Sequence, residues 1–87
     1  MEKVAFISGA NRGIGFETSK QLAQTGVKVI LGSRDLDKGK DALEKLKSNG
    51  IEADLVKYDA FDPDAPQKVF DHVSNKYGKL DILINNA

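Results

Sequence analysis

The chain contains no cysteine. That removes any disulfide framework and any thiolate metal site, and it fits a cytoplasmic setting. Excess charge of either sign is also missing: Lys plus Arg number 13, Asp plus Glu number 13, and the formal net charge is zero. A balanced chain exerts no electrostatic pull on nucleic acid or on an anionic membrane, so neither is an expected partner. No apolar run approaches the roughly 18 residues that a membrane span needs. Met1-Glu2-Lys3 leads directly into a short apolar segment, so no signal peptide is expected. No solenoid-period repeat or low-complexity tract is visible. The 87 residues imply one small domain. A domain of this size buries only about 60–65% of its unfolded surface, so its core is thin.

What the chain does have is glycine in one informative place. Ser8-Gly9-Ala10-Asn11-Arg12-Gly13-Ile14-Gly15 lies between the apolar run Val4-Ala5-Phe6-Ile7 and a helix-type segment. A glycine-rich turn joining a buried strand to a helix N-terminus is suited to phosphate. The unpaired N–H groups of the first helical turn point at the ligand, and the helix dipole adds partial positive charge. Gly9 allows the tight turn, Gly13 lets a pyrophosphate approach the backbone, and Gly15 permits close helix packing. The spacing is Gly-x-x-x-Gly-x-Gly rather than Gly-x-Gly-x-x-Gly, and no Gly-Lys-Ser/Thr follows.

The rest of the chain alternates strand and helix. Strands are predicted over about 3–8, 27–31, 53–58 and 80–84. Helices are predicted over about 13–25, from the Asp35 or Asp37 cap to about 49, and from the Asp62-Pro63-Asp64 opening to a stop at Gly78. Ile14, Thr18 and Leu22, with Ala23 alongside, are expected to face the sheet from the first helix. Gly39, Ala42, Leu43 and Leu46 form the stripe of the second, and Val69, Phe70, Val73 and Tyr77 that of the third. Phe6 and Phe61 are further core candidates, Tyr58 and Tyr77 are packing residues, and His72 is a surface histidine. The resulting βαβαβαβ pattern predicts a three-layer α/β fold. It is half of a doubly wound, Rossmann-type parallel sheet with strand order 3-2-1-4. Ligands of such sheets bind beyond the carboxyl ends of the strands. Four loops gather there: 8–15, 32–35, 59–61 and 85–87.

Those four loops resemble the N-terminal part of the short-chain dehydrogenase/reductase family, over essentially the whole chain. The glycine turn is similar to that family's Thr-Gly-x-x-x-Gly-Ile-Gly, with Ser8 for threonine. Asp59 resembles its adenine-binding aspartate, with Ala60 where valine or isoleucine is usual. Asn85-Asn86-Ala87 resembles the start of Asn-Asn-Ala-Gly. The run from Asn11 to Glu17, with Ser33-Arg34-Asp35, looks most like the carbonyl-reductase-type branch. The resemblance implies that Gly9, Asn11, Arg12, Gly13, Ile14 and Gly15 hold the pyrophosphate and adenosine ribose. It implies that Asp59 accepts from the adenine amino group, that Ala60 offers its backbone N–H, and that Asn85, Asn86 and Ala87 line the cofactor.

Cofactor choice turns on the end of the second strand. An acid there would accept from the 2′-hydroxyl of NAD(H), whereas arginine pairs with the 2′-phosphate of NADP(H). Ser33 is neutral and Arg34 is basic; Arg12 and Lys38 can add charge. NADP(H) is therefore expected, with NAD(H) the alternative should Asp35 act as the ribose acid. The family's catalytic tyrosine has a lysine four residues on. Tyr58 and Tyr77 are followed instead by Asp62 and Asp81, so no catalytic residue is assigned. The expected role is the NADP(H)-binding part of an oxidoreductase that moves hydride between the cofactor and a small carbonyl or alcohol substrate, with catalysis belonging to a longer parent. A free-standing, non-catalytic dinucleotide-binding or assembly module is the alternative. The apolar fourth strand, left at an edge, is expected to pair copies into a homo-oligomer.

Overall fold

A computed structural model describes residues 3–11 and 13–86. Its elements run β1 (Val4–Ile7), α1 (Gly13–Gln24), β2 (Lys28–Ser33), α2 (Leu36–Ser48), β3 (Asp54–Lys57), α3 (Ala65–Tyr77) and β4 (Ile82–Ile84). All pairings are parallel and the sheet order is β3-β2-β1-β4, as expected.

Alternation along β1 divides the core. Ala5 and Ile7 join Val29 and Leu31 on the face covered by α1 and α2, where Ala42 and Leu46 are buried and Leu22, Ala23 and Leu43 pack beside them. Val4 and Phe6 join Ile30 on the opposite face, under Val69 and Val73 of α3. Both faces of the central strands are therefore dry, which is why their sequences read as unbroken apolar runs rather than as alternation.

Five expectations are corrected. The second strand extends through Gly32 and Ser33, because those residues pair with Val56 and Lys57 of β3; the loop begins only at Arg34. Ile14 does not face the sheet but is 78% exposed. The inward stripe of α1 starts one residue later, with Gly15 and Ser19 buried, and continues to Ala23, four residues apart each time. At about 100° per residue, turning Gly15 inward carries Ile14 out. Phe70 is 56% exposed and Phe61 87% exposed, so neither belongs to the core. On α3 the buried stripe is Ala65, Val69 and Val73, and Phe70 lies one step round the helix.

His72 is also more than a surface residue. Its Nε2 lies 2.9 Å from Asp54 Oδ2, to which the Tyr77 hydroxyl donates at 3.1 Å and Lys76 Nζ at 3.3 Å. Burial pushes the Asp54 carboxyl up, but the donors His72, Leu55 N–H, Lys76 and Tyr77 together outweigh it and hold the group below its usual range. This cluster ties the C-terminal half of α3 to the edge strand β3. It lies at the start of β3, at the opposite end of that strand from the loop that carries Asp59.

Candidate functional site

The carboxyl ends of all four strands open into one cleft of about 530 Å³. Gly9, Asn11 and Gly13 enter it after β1, Arg34 after β2, Tyr58, Asp59, Ala60 and Phe61 after β3, and Asn86 after β4. This is the crevice that a doubly wound sheet offers a ligand, beside the point where the order of connection reverses.

The phosphate-facing part is built by the glycine turn. Gly9 and Gly13 have φ of 60° and 62°, the left-handed region where a side chain is strained. A Cβ on Gly13 would meet nothing within 4 Å, so this glycine is required by its conformation. The first turn of α1 carries no acidic residue, in contrast to Asp37 in α2. The N-terminus of α1 therefore keeps its partial positive charge available to an anion. The turn is pinned from below, where Ala10 N–H donates to the Gly32 carbonyl at 3.1 Å.

Gly15 does not line the cleft. A Cβ there would stand 2.5 Å from Asn86 Nδ2, 2.6 Å from the Gly9 carbonyl oxygen and 3.1 Å from Ala10 Cα. Its bareness lets α1, the glycine turn and the segment after β4 meet. Ser8, 1% exposed, joins them further. Its Oγ accepts from Asn86 N–H at 2.9 Å and lies 3.2 Å from Asn85 Oδ1, while Asn86 Nδ2 donates to the Gly9 carbonyl at 3.3 Å. Asn86 thus reaches the cleft. Asn85 instead borders an apolar groove with Phe70, Leu80 and Leu83 on the α3 side.

On the far side of the turn, the two residues after β2 part company. Arg34 is exposed and lines the cleft. Asp35 caps α2, its Oδ1 accepting from the N–H groups of Asp37 at 2.9 Å and Lys38 at 3.2 Å. Ser33, expected near the ribose, is 1% exposed and donates its hydroxyl to the Asp35 carbonyl at 2.7 Å, so it shapes the loop from beneath. After β3, Asp59 Oδ1 accepts from Phe61 N–H at 3.0 Å, which folds the segment into a tight turn with Ala60 at its bend. Of the expected site residues, Gly9, Asn11, Gly13, Arg34, Asp59, Ala60 and Asn86 share the cleft. Ile14, Gly15, Ser33 and Asn85 do not line it, and Arg12 and Ala87 lie outside the described residues. Sequence reasoning missed Tyr58 and Phe61 as cleft residues. Their position flanking Asp59-Ala60 was the available signal, overridden by the assumption that aromatics are core.

The donor set fits a dinucleotide: an anion-accepting helix start, a cation beyond β2 and a carboxylate beyond β3. Among the described residues no group of three His, Asp or Glu could hold a metal ion, and no helix is long and apolar enough to cross a membrane.

Comparison with known proteins agrees with this geometry. A family model described as short chain dehydrogenase matches residues 3–87. Short-chain dehydrogenase/reductase 1 of Saponaria officinalis is 43% identical over 89 residues, covering 99% of this chain and 30% of that protein. The structure of menthone neomenthol reductase from Mentha piperita superposes with a TM-score of 0.93 at 41% identity, covering 100% of this chain and 32% of that one. A metagenomic short-chain oxidoreductase in complex with NADP gives 0.89 at 33% identity, covering 98% and 38%. The chain thus spans about a third of the length of these relatives. With the family model matching residues 3–87 and relatives 33–43% identical across nearly the whole chain, it belongs to the short-chain dehydrogenase family.

Proposed function

We propose that this chain is the NADP(H)-binding N-terminal part of a carbonyl-reductase-type oxidoreductase. The observation that carries the cofactor choice is the pair after β2. Arg34 lines the cleft while the Asp35 carboxylate is engaged in capping α2. A guanidinium matches a 2′-phosphate in a bidentate pair, and the neighbouring Asp35, which could claim a 2′-hydroxyl, caps α2 and does not line the cleft. In this reading Arg12, next to Gly13 in the chain, adds a second cation. The α1 N-terminus with Gly9 and Gly13 receives the pyrophosphate, Asp59 accepts from the adenine amino group, the Ala60 N–H turns to the same ring, and Asn86 borders the cofactor beside β4. When bound, the nicotinamide supplies or receives hydride. The relative that holds NADP supports the choice.

The 87 residues alone are non-catalytic in this reading. Neither of the two tyrosines has a lysine four residues on, so the chain offers no tyrosine–lysine pair for proton transfer, and the carbonyl or alcohol substrate belongs to a longer protein. A cytoplasmic setting goes with a chain that has no cysteine.

Calorimetric titration with NADPH and NADH in parallel tests this. NADPH is expected to bind more tightly. Arg34→Ala should weaken NADPH by about 10- to 100-fold, the range of a charged hydrogen-bonding contact, and leave NADH nearly unchanged. Equal binding of the two cofactors by the unaltered protein would overturn the NADP assignment. Absence of both would overturn the dinucleotide reading.

Self-association is part of the same proposal. β4 lies at the sheet edge beside β1, and Leu83 within it is 66% exposed. An apolar edge with unpaired backbone groups is a template for a second copy. Light scattering should show dimers whose population falls on Leu83→Lys. A monomer at high protein concentration would exclude this pairing.

A further inference from the structure

Phe61 is an anomaly of the cleft. It is 87% exposed, although a large apolar ring left in water forgoes the stabilisation that burial gives. Nor is it at a random surface point: it lies on the wall of the cleft, together with Arg34, Tyr58, Asp59 and Ala60. Its backbone is held, because Phe61 N–H donates to Asp59 Oδ1 at 3.0 Å and Asp62 N–H donates to the Asp59 carbonyl at 3.0 Å. The residue between carboxylate and ring is Ala60, whose single methyl leaves the space beside Asp59 open. A rigid turn therefore carries an acceptor for an amino group and, two residues on, an uncovered aromatic face.

We propose that Phe61 is the stacking platform for the adenine ring of the bound dinucleotide. This rests on the dinucleotide reading given above and adds to it a contact residue for the base. A flat heterocycle with an exocyclic amine matches both features at once: the amine donates to the Asp59 carboxylate and the π-face lies on the Phe61 ring. The Arg34 guanidinium, which also stacks on aromatic faces, borders the same space. The small Ala60 makes room, and Phe61 supplies the apolar area that a larger residue at position 60 would otherwise provide.

The test uses NADPH and adenosine 2′,5′-bisphosphate, which carries adenine and the 2′-phosphate without nicotinamide. Phe61→Ala should weaken both by the same factor, about 5- to 100-fold, the range for one base stacked on one aromatic ring. Phe61→Tyr should restore affinity, while Phe61→Leu, apolar but not flat, should not. In NMR spectra of the complex, Phe61 ring protons should show NOEs to adenine H2 or H8, which a purely structural role would not produce. If the unaltered protein binds both probes and Phe61→Ala or Phe61→Leu binds them equally well, the stacking role is excluded while the dinucleotide reading stands. If the unaltered protein binds neither probe, the dinucleotide reading fails and this inference with it.

Discussion

Gly15→Ala is expected to abolish most dinucleotide binding and to lower the melting temperature in the same stroke. The new Cβ would stand 2.5 Å from Asn86 Nδ2 and 2.6 Å from the Gly9 carbonyl oxygen. The first neighbour is the end of a side chain and can swing away, but in doing so it gives up its hydrogen bond to Gly9. The second is backbone, as is Ala10 Cα at 3.1 Å. Relief must therefore come from moving the glycine turn away from α1. That turn is held to β2 through Ala10 and can yield only by deforming. Overpacking of this kind costs about 1–3 kcal/mol, which in a domain of this size lowers the melting temperature by roughly 4–8 °C per kcal/mol. Binding suffers separately. A displaced turn loses its aimed N–H groups, and losing two hydrogen bonds to charged phosphate, at about 1.5 kcal/mol each, weakens affinity roughly 100-fold. Gly15→Val should be worse in both respects. Thermal unfolding and NADPH titration well below the transition check the two effects independently. Wild-type affinity in a folded Gly15→Ala protein would show that the turn tolerates the shift.

Much of this site was legible in the chain, and what was not has identifiable physical causes. The glycine turn, the strand order and the convergence of Gly9, Arg34, Asp59 and Asn86 follow from local signals: glycines where φ is positive, and strands whose unbroken apolar runs require cover on both faces. Errors arose where a residue's surroundings are set by packing. Ile14 fits an apolar stripe as well as any residue of α1. Only the tight approach at Gly15 decides the rotation of the helix, and that approach involves Asn86, some seventy residues away in sequence. Phe61 fits a core by residue type and Phe70 by its spacing in the stripe of α3, whereas one belongs to a turn held by Asp59 and the other to the flank of α3. The extension of β2 through Ser33 depends on pairing with β3, which Gly32 itself does not announce. The Asp54–His72–Tyr77 cluster joins residues 18 and 23 positions apart, a juxtaposition that no local pattern encodes.

Phe6→Ala is expected to be the most destabilising single truncation. Phe6 is 1% exposed in the central strand β1 and meets Tyr58 edge to face, with ring centroids 5.4 Å apart at 64°. Its surroundings are poorly able to collapse into the space it would leave. Val4 and Ile30 are fixed on the sheet, Val69 and Val73 are fixed on α3, and Gly32 has no side chain to advance. Phe→Ala at such a site costs about 3–5 kcal/mol. At roughly 0.05–0.15 kcal/mol per residue, a chain of this length is stable by about 4–13 kcal/mol, so the loss is a large part of the total. Denaturant titration should show the midpoint falling steeply, with Phe6→Leu between the two because it keeps most of the volume. The same truncation at Phe61 should leave stability within about 0.5 kcal/mol, as for an exposed residue without structural partners. The contrast separates two aromatics that read alike in the sequence: Phe6 holds α3 to the sheet and supports Tyr58 beneath the cleft, whereas Phe61 stands outside the core. A Phe6→Ala protein of undiminished stability would mean that α3 closes the gap, and that the face of the sheet it covers is far more plastic than its packing implies.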